Sequence, residues 1–191
     1  MLNELVTKNR SVRGFDAEVK IRREDMLEII NCARLTASSI NKQPLKFMLI
    51  NEKAKNSIIK ENIHFGGLLP ELNLPYGGEE PPAYIIICHD LNIAPATESF
   101  LIDVGIAAQT ISLKAVEMGL NTCMIGSFKK GIIEKKLDLP DNIICRLVIA
   151  IGKSKEKIEI VEIDDGDSTA YYRKDDIHYV PKRKLEDVVI E

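Results

Sequence analysis

One stretch limits what this chain can become: Glu98 to Phe128, ESFLIDVGIAAQTISLKAVEMGLNTCMIGSF. Projected at ~100° per residue, its polar residues Asp103, Thr110, Lys114 and Glu117 fall in one narrow strip. Leu101, Ile102, Val104, Ile106, Ile111, Leu113, Val116 and Met118 cover most of the remaining circumference. A helix this apolar must be enclosed by other elements rather than laid on a surface. Gly105, Ala108, Ser112 and Ala115 gather on one side, where a second helix could approach closely, from within the chain or from another copy. Gln109 points away from the polar strip, so it needs a buried partner, a ligand or an interface. Gly119 is expected to end the helix. Asn121–Phe128 then runs out as a short, partly apolar segment whose Gly126 and Ser127 leave backbone N–H groups unencumbered. The pattern reads as a core helix followed by a strand, or as a central helix delivering a ligand-contacting loop.

Composition narrows the function classes. At 191 residues the chain is expected to form a single domain over 1–191, with about 164–191 as a C-terminal arm. A formal net charge of −3 argues against nucleic acid or an anionic membrane as partner. No run of ~18 apolar residues and no apolar leader is evident, so a cytoplasmic location is expected. Cys32, Cys88, Cys123 and Cys145 are far apart with no metal-type spacing, which reads as reduced thiols, mostly buried, and no metal site.

Asn3 can cap a short helix from Glu4 to about Lys8. Beyond it, Arg10 and Arg13 stand three apart with Ser11 between them, a set suited to an anion such as phosphate. Glu24–Leu35 is amphipathic and helical. The polar loop Thr36–Pro44 precedes a strand at Lys46–Asn51. Its Ser and Asn side chains either satisfy backbone or read a heteroaromatic ring. A helix is expected over Lys53–Asn62, then a Gly/Pro-rich excursion at 66–82, too apolar for a passive linker, near an active site or an interface. Buried strands are expected at Ala83–His89 and Cys145–Gly152, with a helix at Lys130–Leu137 between them. The charged stretch from Lys153 and the polar tail from Tyr171 end in Val188, Val189 and Ile190, which predicts an arm docking on another sheet edge. His64, His89 and His178 fit no triad or metal spacing and are expected at the surface or internally satisfied.

Four blocks, in this order, resemble the nitroreductase family of FMN-dependent oxidoreductases. They are Arg10-Ser11-Val12-Arg13-Gly14-Phe15, Ala37 to Pro44, Asp103-Val104-Gly105-Ile106-Ala107-Ala108-Gln109 through Gly126, and Pro181-Lys182-Arg183-Lys184-Leu185. Asn9, Ala37 and Leu45 depart from the residues usual there. The resemblance implies an α+β, three-layer fold: a central, mostly antiparallel sheet flanked by helices, with the arm reaching a partner protomer. It implies a homodimer binding FMN, with NADH or NADPH as electron donor and a small-molecule electron acceptor. By the same resemblance Arg10, Ser11, Lys182 and Lys184 hold the phosphate, and Arg13 lies near N1 and O2 of the flavin. Ser38, Ser39 and Asn41 reach the ring from the second protomer, and Met124, Ile125, Gly126 and Ser127 lie along it. Substrate stacking falls to Phe65, Tyr76 or a tail tyrosine, and no protein nucleophile is required. The functions this implies are hydride transfer to nitroaromatics, quinones or similar acceptors by a ping-pong mechanism, a dedicated flavin reaction (dehydrogenation, dehalogenation or flavin breakdown), or a non-enzymatic redox sensor.

Overall fold

The computed structural model describes residues 1–190, so the part of the arm assigned to Glu191 lies outside the described residues. The elements are α1 (Leu2–Lys8), α2 (Arg23–Ala33), β1 (Leu45–Ile50), α3 (Lys53–Lys60), β2 (Ala83–Asp90), α4 (Glu98–Glu117), β3 (Asn121–Ile125), α5 (Lys130–Lys136), β4 (Ile143–Gly152), β5 (Lys157–Ile163), β6 (Tyr172–Lys174) and β7 (Ile177–Arg183). A four-stranded sheet in the order β1-β2-β4-β3 is antiparallel throughout. The fold is the expected α+β arrangement, and the alternation along β2 shows why. Tyr84, Ile86 and Cys88 enter one core with Ile59 and Ile133, from α3 and α5. Ala83, Ile85 and Ile87 enter the other with Met26, Ile29, Val104 and Ile111, from α2 and α4. A strand covered on both faces must be apolar at every position. A bulge between Ile87 and Cys88 shifts the register against β4 at Arg146.

The small-residue side of α4 packs inward: Ala108, Ser112 and Ala115 are buried, and α2 is the helix that approaches. By length and composition α4 could cross a membrane, yet it forms part of the core of this fold. One expectation about it is corrected. Asp103 lies in no solvent strip; it is 4% exposed, facing the 36–44 loop. Gln109 is exposed and lines a cavity. The outward face is instead apolar, with Leu101 and Ile102 exposed beside Gly105.

The C-terminal quarter departs further. Lys157–Ile163, read above only as charged, alternates KIEIVEI and forms β5. β5 pairs in parallel with β7, and β6 completes a three-stranded sheet, all within the chain. Tyr172–Arg183 therefore stays with its own chain, because β5 offers it an edge along its full length. Leu185–Ile190 is no strand: Asp187 N–H bonds the Lys184 carbonyl and Val188 N–H that of Leu185, which coils the segment into turns.

Gly152 closes β4 where Phe15 and Pro82 meet. A Cβ there would stand 2.7 Å from Pro82 Cδ and 2.8 Å from Phe15 Cδ1, one a rigid ring and the other a fully buried one. Gly152→Ala is expected to cost about 1–3 kcal/mol of stability, lowering Tm by roughly 2–12 °C in a thermal melt.

Candidate functional site

The two ends of the chain meet in one cavity of about 380 Å³ lined by Arg10, Ser11, Arg13, Gln109, Met124, Tyr171, His178 and Lys182, among others. Local structure explains each placement. Val12 N–H bonds the Thr122 carbonyl at 3.0 Å, which lays the 10–13 segment along β3. Thr122 and Met124 alternate toward the cavity, while Cys123 and Ile125 alternate into the core. His178, Val180 and Lys182 stand two apart on β7 and share the cavity face.

Arg13 is held from several sides at 8% exposure. Its backbone N–H donates to Glu156 Oε2 at 3.1 Å, and Nη1 donates to the Ser11 carbonyl at 3.2 Å. The guanidinium lies 4.3 Å from the Tyr171 ring centroid, within cation–π range. Nη1 also lies 3.3 Å from His178 Nε2. A guanidinium can only donate, so Nε2 accepts and the neutral ring carries its proton on Nδ1. That Nδ1 is buried and has no protein partner; the same is true of Arg10 Nε. Burial, reinforced by Arg13 and Arg173, depresses the His178 pKa to about 4. Burial also raises the pKa of Glu156, against the pull of Arg173 and Arg13. Arg10, Arg13 and Lys182 form no ion pair among the described residues, although they line one cavity.

His178 makes stability pH-dependent. It binds protons more weakly folded than unfolded, so its contribution is fully present above about pH 6.5 and is lost as pH falls toward about 4. Glu156, raised by burial, works in the opposite sense as pH falls. In thermal melts from pH 7 to 4, His178→Gln is expected to lose less stability than the wild type over that window. Parallel curves would refute the assignment.

The other expected site residues are dispersed. Ser38 Oγ donates to Asp103 Oδ2 at 2.6 Å, and Ser39 N–H donates to Oδ1 of the same carboxylate at 3.0 Å. Asn41 Oδ1 accepts from Gln43 Nε2 at 3.2 Å. This loop turns with Ile40, Asn41 and Gln43 all at positive φ (45°, 54° and 53°), conformations that non-glycine residues adopt at a cost. None of Ser38, Ser39 and Asn41 lines the Arg10 cavity; Ser38 and Asp103 line a second one of about 150 Å³ on the other side of α4. Of the 124–127 run only Met124 reaches the first cavity. Ile125 is core, Gly126 faces open space, and the Ser127 carbonyl accepts from His64 N–H at 3.0 Å. Lys184 is diverted to an ion pair with Asp164. The tail tyrosine in the cavity is Tyr171, whose hydroxyl accepts from Leu68 N–H at 3.3 Å and ties the 66–82 excursion to the site. His178, expected at the surface or internally satisfied, is buried in the cavity wall beside Arg13; its signal was the alternate spacing His178, Val180, Lys182.

The fold is α+β, and one cavity in it is lined by cations from both chain ends. The chain belongs to the nitroreductase family, whose family model matches residues 6–153. It is 26% identical over 184 residues to an oxygen-insensitive NADPH nitroreductase of Helicobacter pylori, covering 78% of this chain and 86% of that protein. A nitroreductase family protein of Streptococcus pneumoniae superposes with TM-score 0.74 at 19% identity, covering 100% of both chains. An Exiguobacterium sibiricum protein, solved in complex with FMN, superposes with TM-score 0.67 at 22% identity, covering 82% of this chain and 89% of that one.

Proposed function

We propose that this protein is an FMN-dependent oxidoreductase that takes hydride from NADH or NADPH and delivers it, by a ping-pong mechanism, to nitroaromatics, quinones or related electron-poor acceptors. The observation that carries the reading is the set of three cations, Arg10, Arg13 and Lys182, lining one cavity with no ion-pair partner among the described residues. Such a cluster is costly until an anion joins it. The residues fit FMN: Arg10 Nε is buried without a partner, and Ser11 and Lys182 add donors around it for a phosphate. Met124, Val180 and Tyr171 supply apolar lining for a ring. Bound FMN supplies the chemistry, a ring that accepts hydride from a nicotinamide and passes it on. The chain's own residues bind and tune. Arg13, fixed by Tyr171 and His178, is assigned to the pyrimidine edge, where its charge favours added electron density. Neutral His178 holds that guanidinium without adding a competing charge. No side chain is assigned a covalent or acid–base role.

The active form is proposed to be a homodimer. Leu101 and Ile102 leave an apolar face on α4, and Leu185, Val188, Val189 and Ile190 are exposed as well. The two cavities flank α4, one lined by Gln109 and Ser112 and the other by Asp103 and Ala107. Two-fold pairing through α4 would bring Ser38 and Asn41 of the partner subunit to the Arg10 cavity. An anaerobic half-reaction tests the function: NADH or NADPH should bleach the bound flavin, and a nitroaromatic or quinone should restore the colour. A flavin that stays oxidised with both donors would refute the enzyme reading.

A further inference from the structure

We propose that the cavity between α3, residues 17–22 and Pro81–Pro82 is a second ligand site, taking a small organic phosphate with hydrogen-bond donors, of nucleoside monophosphate size. It measures about 820 Å³ and shares no lining residue with the Arg10 cavity. That volume is in the range of small-molecule sites, about 300–1,000 Å³.

Its wall follows from helix geometry. Lys53, Asn56, Ser57 and Lys60 stand at positions i, i+3, i+4 and i+7, so a single face of α3 presents all four. Lys20 and Arg22 line it from the 17–22 segment, and Glu80 is the one carboxylate among the lining residues. Arg22 is engaged by Asp25 at 2.5 Å and Lys60 by Glu80 at 2.7 Å. Lys20 and Lys53 have no ion pair among the described residues, which leaves a positive locus on a chain of net charge −3.

Buried polar atoms add the second line of argument. Tyr84, 1% exposed, lines the cavity, and its hydroxyl has no partner in the protein. Burial, with Glu80 nearby, raises its pKa well above the usual phenol value, so the hydroxyl stays protonated and available to donate. Asn56 donates Nδ2 to the Pro82 carbonyl at 2.7 Å, and its Oδ1 is left buried and unpartnered. Asn51 likewise donates Nδ2 to the Ile21 carbonyl at 3.1 Å. The amide nitrogens fix the walls, while an acceptor, a phenolic donor and two ammonium groups are left over. Unsatisfied buried groups of this kind call for a partner. Ala17, Ile21, Pro81 and Pro82 add an apolar platform for a carbon skeleton. Inorganic phosphate would answer the lysines but leave Asn56 Oδ1 and the prolines uncovered.

Calorimetric titration of the full-length protein with AMP tests this, with inorganic phosphate and adenosine titrated separately as its two halves. One saturable AMP site per chain is expected, at least about tenfold tighter than either half. Lys20→Glu/Lys53→Glu, at two exposed positions, should weaken AMP at least about tenfold. Tyr84→Phe should weaken it several-fold while leaving the flavin spectrum unchanged. The proposal is overturned by any of three results: no saturation at millimolar AMP, unchanged affinity in the double charge reversal, or phosphate binding as tightly as AMP.

Discussion

Arg10→Ala/Lys182→Ala is expected to purify colourless, with FMN affinity reduced at least a hundredfold. Each charge-assisted contact to a phosphate is worth about 1.5–3 kcal/mol, so losing two accounts for a drop of roughly 10²- to 10⁴-fold. The substitutions remove side chains that line the cavity without an ion pair among the described residues, so folding should be spared. Lys184→Ala is the control. Lys184 pairs with Asp164 and does not line the cavity, so this variant should stay yellow. Equilibrium titration with FMN, followed by flavin fluorescence, checks both. A double variant that retains stoichiometric flavin would dissociate the cationic cavity from the cofactor.

Ile102→Glu is expected to convert the protein to monomer and to lower its flavin content in the same step. Ile102 is 66% exposed on the apolar face of α4, so glutamate there costs the single chain little. At the centre of an interface the same carboxylate would be stripped of water without a partner. If Ser38 and Asn41 of the partner subunit complete the site, monomers should hold FMN poorly even with Arg10 and Lys182 intact. Sedimentation velocity with absorbance at flavin and protein wavelengths reads both quantities at once. A monomer with full flavin occupancy would separate the dimer from the cofactor site and refute this pairing.

What was legible in the residues, and what was not, has physical causes. Ala83–His89 and Cys145–Gly152 read plainly because strands enclosed on both faces carry unbroken apolar runs. Arg10, Ser11 and Arg13 were readable as an anion-binding set, Lys182 only through the family resemblance, and the fold brings the four to one cavity. Asp103 was misplaced because a helical projection shows which residues share a strip, not what faces that strip. Here Ser38 and the Ser39 amide face it, so a buried carboxylate is satisfied. β7 was hidden because His178 and Lys182 look like solvent residues until β5 supplies an edge. Ile125 was assigned to the ligand with Met124, although strand alternation sends the two to opposite sides.

The cavity's composition also sets a timetable. Its cationic walls, Arg10 and Arg13 on one side and Lys182 on the other, are separated by almost the whole length of the chain. A polypeptide emerging from the ribosome exposes α2, β1, α3 and β2 first, and those elements supply part of both cores. At ~5–20 residues per second, Arg10 would wait many seconds before Lys182 appears opposite it. If Arg10 and Lys182 hold the phosphate as proposed, that grip cannot close on a nascent chain, and cofactor capture would belong to the end of synthesis. Until then, the cationic pocket exists only in halves.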